Sequence, residues 1–193
     1  AATQKVSIYG NEGNDLVDIA AATDVLTKAE DGDDSIDLNG ALTTSTINGN
    51  AGEDDIDITA AATFSDSTVF GGIGDDNIDG AAFDITLTDS TVRGDDGNDS
   101  IRLVLDAATG SLINGNDGDD TLTLTEGTAL STTITASGGE GTDVIIYATN
   151  NLAGGTYLIN GNGGNDSISF DNGANDTTAT VKAGAGDDTV NLS

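Results

Sequence analysis

The residues able to do chemistry in this chain are carboxylates, and they recur on a fixed pattern. Nine times the sequence repeats a six-residue phrase: Gly or Ala, two variable residues, Gly, one polar residue, Asp. The closing residues are Asp15, Asp34, Asp54, Asp76, Asp99, Asp120, Asp143, Asp166 and Asp188, spaced 19 to 23 residues apart. Carboxylates set among glycines, which free backbone carbonyls to turn inward, supply oxygen ligands. Such a flexible, acid-rich cage suits Ca²⁺ better than Mg²⁺, which prefers a strict octahedron and keeps its waters. With no Cys and no His in the chain, soft-ligand metals and ordinary zinc or haem sites lack donors. One such phrase alone reads equally well as a tight turn whose Asp bonds its own backbone. Nine copies with constant internal spacing favour metal.

The segments around each phrase alternate like half-buried strands. Two residues after the Asp stand Val17, Ile36, Ile56, Ile78, Ile101, Leu122, Ile145, Ile168 and Val190, all branched and apolar. Four residues after it the series runs Ile19, Leu38, Ile58, Gly80, Leu103, Leu124, Tyr147, Phe170 and Leu192. A second strand is expected before each turn, around Ile8, Thr27, Ile47, Val69, Val92, Ile113, Ala136, Ile159 and Val181, often flanked by Ser-Thr as at Ser45-Thr46 and Ser67-Thr68. The rest of each repeat varies in length and is rich in Ala, Gly, Thr and Asn. One coil therefore reads as strand, acidic corner, strand, loose corner. Proline, which would break a ladder, is absent.

A period near 21 residues predicts an all-β fold, a parallel β-solenoid of about nine coils with one acidic turn per coil. The array is expected to be one continuous domain over residues 1–193, read as an excerpt of a longer protein. Coils stack about 4.8 Å apart, so nine make a rod roughly 40 Å long. Aligned turn carboxylates at that spacing repel by about 1 kcal/mol in water and about 3.5 kcal/mol at an effective dielectric of 20. A row of nine turns needs a counter-charge.

Thirty-four acidic residues face five basic ones, for a net charge of −29, and 21 of the 34 acids sit in the nine turns. Such a balance argues against nucleic acid and against an anionic membrane surface. No apolar run is long enough to insert in a membrane. The strand acids Asp18, Asp37, Asp57 and Asp79 read as a solvated face. Lys28, Arg93 and Lys182 share the position just before the turn and read as salt partners of turn acids.

The phrase at Gly71-Gly72-Ile73-Gly74-Asp75-Asp76-Asn77-Ile78 resembles the G-G-x-G-x-D-x-U-x signature of RTX, or hemolysin-type, calcium-binding repeats. Gly138 to Ile145 is similar, as is Gly161 to Ile168 with Asn at the second place. The resemblance implies that each ion lies between turns of adjacent coils, held by backbone carbonyls and by the nine turn Asp residues named above. It also implies an exported, extracellular or cell-surface protein released through a type I system. One departure stands out: RTX rolls repeat every nine residues with a turn on both edges, whereas here the turn occurs once per coil. That predicts a single row of at most eight ions. Ala29 and Ala183 in place of the first Gly weaken the pattern in the second and ninth turns.

A catalytic role finds little support, since no paired carboxylates stand apart from the repeated ones. The expectation is a non-enzymatic, calcium-stabilised rod in a surface layer, filament or adhesin, with end-to-end or lateral self-association. The alternative is a carbohydrate-binding or accessory module of an extracellular polysaccharide-active enzyme. Tyr9 and Phe70, at equivalent outward positions in register with Asn48, Asn114 and Asn160, make cell-surface polysaccharide a candidate partner.

Overall fold

Alternating Val, Ile and Leu with polar neighbours can bury one side of a strand only if another coil lies above and below it. The computed structural model describes residues 5–127, 133–148, 155–171 and 178–193 and shows that arrangement. The described residues form twenty strands and no helix, and every strand pairing is parallel. The chain is a parallel β-solenoid of about eight turns. The first coil supplies the pattern: β1 (Val6–Glu12), β2 (Leu16–Ile19) and β3 (Ala22–Thr23).

The strands before the turns stack in nine layers. Ile8 pairs with Thr27, then Ile47, Val69, Val92, Ile113, Ala136, Ile159 and Val181 follow in unbroken register. The strands after the turns stack likewise, from Val17 through Ile36, Ile56, Ile78, Ile101, Leu122, Ile145 and Ile168 to Val190. Between these sheets the side chains of Ile36, Ile47, Ile56, Ile78, Val92, Ile101 and Ile113 are fully buried. Each such side chain is worth roughly 1.5–3 kcal/mol relative to exposure. Gly80, the exception in the apolar series, is explained by its neighbour. A methyl group there would stand 2.3 Å from Ile85 Cδ1, so the Ile85 side chain fills the space Gly80 leaves.

The loose corner of the sequence reading is more ordered than expected. Ala22–Thr23, Leu42–Thr43 and Ala62–Ser65 form a third short sheet, joined by the far ends of the long strands Asn77–Thr88 and Ser100–Asp117. The coil is three-sided there. Between the third strand and the next coil the chain turns through one left-handed residue: Asp24, Thr44, Asp66, Asp89 or Gly110. After each of the last four comes a buried serine, and after Asp24 comes Val25. Ser45 N–H donates to Ser67 Oγ, Ser67 N–H to Ser90 Oγ and Ser90 N–H to Ser111 Oγ, each at 3.2 Å. The hydroxyls donate in turn to carbonyls two residues back. This ladder holds the second corner without any charge.

Candidate metal centre

The acidic turn begins from backbone geometry. Its fourth residue has φ between 113° and 141° in all nine coils, a region that essentially only glycine adopts, and it is glycine each time. Its second residue is also left-handed, with φ near 80° at Asn11, Glu30, Asn50, Asp95, Asn116 and Asn162. Asn and Asp tolerate that conformation better than other side chains, which accounts for most departures from Gly at this place.

This double reversal folds the Asp side chain into the rod. Asp34, Asp54, Asp76, Asp99, Asp120, Asp143 and Asp166 are at most 2% exposed, and Asp15 and Asp188 are half-buried. The nine carboxylates form one ladder. Asp15 N–H donates to Asp34 Oδ1 at 2.7 Å, and the same bond recurs in each later step at 2.8 to 3.0 Å, ending with Asp166 N–H on Asp188 Oδ1. The polar residue before the Asp works in the opposite direction. Asn98 N–H donates to Asp75 Oδ1 at 2.8 Å, and Asp119 N–H to Asn98 Oδ1 at 2.9 Å. Adjacent turns are thus tied twice, by side chains of opposite sense.

The second oxygen of each buried carboxylate is the anomaly. Oδ2 of Asp15, Asp34, Asp54, Asp76, Asp99, Asp120, Asp143 and Asp166 is buried and has no hydrogen-bond partner. A buried unpaired carboxylate oxygen is costly and requires explanation. Around each except Asp34, whose turn begins with Ala29, lies a space that glycine keeps open. A methyl group at Gly94 would stand 1.9 Å from Asp99 Oδ2, at Gly115 1.9 Å from Asp120 Oδ2, and at Gly138 2.1 Å from Asp143 Oδ2. Carbonyls border the same space. A methyl at Gly71, 2.3 Å from Asp76 Oδ2, would lie 2.7 Å from the Gly94 carbonyl oxygen, and one at Gly161, 2.2 Å from Asp166 Oδ2, would lie 2.1 Å from the Ala183 carbonyl oxygen. No turn hydrogen bond among the described residues ends on the Gly32, Gly52, Gly74 or Gly97 carbonyl.

Charge and burial act together on these groups. Burial pushes the Asp76 carboxyl up to about 8, assisted by the charges of Asp99, Asp54 and Asp75 and opposed by the hydrogen bond from Asp54. Burial likewise raises Asp120 to about 7 and Asp54, Asp99 and Asp143 to about 6, and it raises Asp34. Burial makes ionisation of these carboxyls costly, and a cation beside them would offset that cost. Among the described residues no three carboxylates converge on one point, so an ion here would draw most ligands from backbone carbonyls. An orphaned oxygen, an open glycine-lined space and neighbouring carbonyls fit a hard cation such as Ca²⁺.

All nine expected Asp residues therefore lie on one edge, in one line. Of the strand acids, Asp79 is not merely solvated. It accepts two bonds from Arg102, the shorter 2.6 Å, which holds its carboxyl below the usual range. Arg93 meets the turn acid Asp95 at 2.9 Å, as expected of a salt partner. One acid was missed. Glu126 is fully buried in the core and accepts a hydrogen bond from the Tyr157 hydroxyl, beside the clustered rings of Tyr147, Tyr157 and Phe170. The alternation of Leu122, Leu124 and Glu126 could have placed it inside.

A model of the RTX calcium-binding nonapeptide repeat matches residues 6–26, 59–84, 87–103, 111–128 and 158–177, together more than half of the chain. Each matched segment contains one turn, those of Asp15, Asp76, Asp99, Asp120 and Asp166. The turns of Asp54 and Asp143 lie outside these segments yet share the ladder bond and the orphaned Oδ2. No curated protein and no solved structure matches the chain.

Proposed function

Because the chain belongs to the family of RTX calcium-binding repeat proteins, we propose that this calcium-binding β-solenoid serves as a structural rod of an exported bacterial surface protein. The role is non-catalytic, as part of a surface layer, a filament or an adhesin. The observation that supports it is the line of eight buried, unpartnered Asp Oδ2 atoms, seven of them facing a space that a glycine keeps clear and the eighth, that of Asp34, in the turn that begins with Ala29.

Asp15 through Asp188 are the proposed ligands, one row along one edge, with up to eight ions between nine turns. Bound calcium supplies the positive charge that a stack of buried carboxylates lacks. The chain's own residues do the rest. Oδ1 of each Asp fixes the spacing to the preceding coil through its backbone bond, Oδ2 is left for the ion, and the glycines exclude side chains from the space between. Ions that bind only the stacked form stabilise it by mass action. The extracellular medium is the compartment with abundant calcium, which agrees with the secreted habit typical of RTX proteins. Export through a type I system would deliver the chain unfolded, charge repulsion delaying its stacking until calcium is met.

Far-ultraviolet circular dichroism of the chelated chain during calcium titration tests this reading, with magnesium as the control. A cooperative gain of β-structure with calcium alone is expected. Full β-structure in chelator, unchanged by calcium, would overturn the ion row.

A further inference from the structure

The fifth residue of each acidic turn stands just before the Asp of the ion row, and its side chain ties one turn to the next. Asn14 Oδ1 accepts the N–H of Asp33 at 3.2 Å, Asp33 Oδ1 that of Glu53 at 3.1 Å, and Asp75 Oδ1 that of Asn98 at 2.8 Å. Asn98 Oδ1 accepts from Asp119 at 2.9 Å, Asp119 Oδ1 from Thr142 at 2.6 Å, and Asn165 Oδ1 from Asp187 at 2.8 Å. Among the described residues the tie is made at six of the eight steps between nine turns. At the other two, the N–H groups of Asp75 and Asn165 form no hydrogen bond, and the preceding turn offers Glu53 and Thr142. Glu53 carries its carboxylate one methylene further out, and Thr142 holds its hydroxyl one atom nearer the backbone. Neither places an oxygen where Oδ1 of Asp or Asn stands.

Each of these N–H groups shares a planar trans peptide with the carbonyl of the turn glycine before it, and in such a unit the two point in opposite directions. An N–H held toward the preceding turn therefore aims the glycine carbonyl at the following one. A methyl at Gly118 would stand 1.9 Å from the Gly97 carbonyl oxygen, and one at Gly141 2.1 Å from that of Gly118. The carbonyls of Gly52, Gly74, Gly97, Gly118, Gly141 and Gly164 accept no turn hydrogen bond among the described residues. They are hard oxygen ligands still unused.

We propose that the fifth turn residue is a positioning residue for calcium: its side chain aims the glycine carbonyl of the next turn into the gap that receives the ion. The inference rests on the calcium reading above, and it makes the gaps unequal. Side chains of the preceding turn hold the carbonyls of Gly32, Gly52, Gly97, Gly118 and Gly141. Those of Gly74 and Gly164 lack that support. The gap between the turns of Asp76 and Asp99, and that between the turns of Asp166 and Asp188, therefore bind calcium less tightly than the gap between the turns of Asp120 and Asp143.

Single variants of the full chain test this without altering its net charge. Glu53→Asp and Thr142→Asn supply the missing acceptors, Asn98→Ala removes one, and Thr142→Val changes a side chain that accepts nothing. Calcium calorimetry reads affinity, and amide hydrogen exchange of the calcium-loaded chain reads the tie itself. In the wild-type chain the amides of Asp75 and Asn165 should exchange about five-fold faster than those of Asn98 and Thr142, the scale of one hydrogen bond. Glu53→Asp should slow the Asp75 amide, Thr142→Asn should slow the Asn165 amide, and each should tighten the weakest calcium step by about the same factor. Asn98→Ala should speed the Asp119 amide and weaken binding, and Thr142→Val should leave both readings unchanged. Slowed exchange with unchanged affinity would reduce the tie to a bond of the fold alone and overturn the proposal. Exchange indifferent to Glu53→Asp and Thr142→Asn, or an affinity that Thr142→Val shifts as much as Thr142→Asn, overturns it too. A wild-type chain that takes up no calcium overturns the calcium reading with it, and that result is visible before any variant is made.

Discussion

Asp99 Oδ1 accepts the backbone N–H of Asp76 at 2.8 Å, while Asp99 Oδ2 is buried with no partner at all. One carboxylate thus carries two separable roles, a neutral hydrogen-bond acceptor toward the previous coil and an unpaired anion toward the space beside Gly94. Substitution can divide them. Asp99→Asn keeps the acceptor and removes the charge. In chelator it should stabilise the rod, because a buried unpaired anion disappears. In calcium it should destabilise it by about 1–3 kcal/mol, the scale for losing a charged partner. Asp99→Ala removes the acceptor too and should destabilise in both conditions. Thermal melts of the three chains with and without calcium check the change of sign.

The acid titration of the calcium-free chain follows from the same groups. Asp76, Asp120, Asp54, Asp99 and Asp143 have folded values of about 6 to 8, above the roughly 3.9 of an unfolded Asp. A value raised by folding means that the folded state holds protons more tightly. Its stabilising effect is complete below about pH 4 and is lost as pH rises through the 6 to 8 window. In chelator the melting temperature should therefore rise from pH 8 to pH 5. With calcium the dependence should reverse, since protons compete with the ion for the same oxygens. Melting curves at the two pH values, with and without calcium, measure both slopes.

The sequence made the two main sheets and the acidic edge readable because both depend on local pattern. Period-two alternation placed Ile36, Ile56 and Ile78 in one stack, and the nine turn Asp residues came out on one line. The third sheet escaped because strands such as Ala22–Thr23 and Leu42–Thr43 are too short to show any period. The serine ladder escaped for a different reason: Ser45 and Ser67 are 22 residues apart, and their bond exists only once the stacking register is known. The second turn position departs from Gly in six of the nine coils. In the structure Asn50 and Asn116 adopt the required left-handed turn themselves.

Two glycines of one turn should respond differently to the same change. Gly97 has φ of 137°, and a methyl there would stand 2.0 Å from the Gly74 carbonyl oxygen. Gly97→Ala carries about 1–3 kcal/mol of backbone strain before that clash is counted, so it should unfold the neighbouring coils whether or not calcium is present. Gly94 carries no left-handed φ, and its methyl would meet Asp99 Oδ2 instead. That methyl would also stand 2.6 Å from Asp99 Cβ, so Gly94→Ala must shift the Asp99 side chain. Because Ala29 occupies the same place in the second coil, the change should cost the fold less than Gly97→Ala does and should weaken calcium binding. Ala29 already fills the corresponding place in the second coil, so Ala29→Gly should strengthen it. Calcium titrations of the three variants, followed by calorimetry, separate a turn defect from a site defect.

The serine corner supplies the contrast to the acidic one. Ser67 Oγ accepts from Ser45 N–H and donates to the Ser65 carbonyl at 2.8 Å, so all its bonding capacity there is internal and uncharged. Ser67→Ala leaves the buried Ser45 N–H without an acceptor, a loss of about 1–3 kcal/mol. In a chain of this size that lowers the melting temperature by roughly 2–4 °C per kcal/mol. Because no ion enters the balance, the loss should be equal with and without calcium, and the calcium affinity should stay unchanged. The ladder ends after Ser111, where Ile134, Tyr157 and Ala179 take the corresponding place in later coils. Hydrogen exchange in chelator should accordingly find the amides of Ser45, Ser67 and Ser90 better protected than those of Ile134 and Tyr157. Equal protection at both sets would mean that the serine corner contributes nothing of its own.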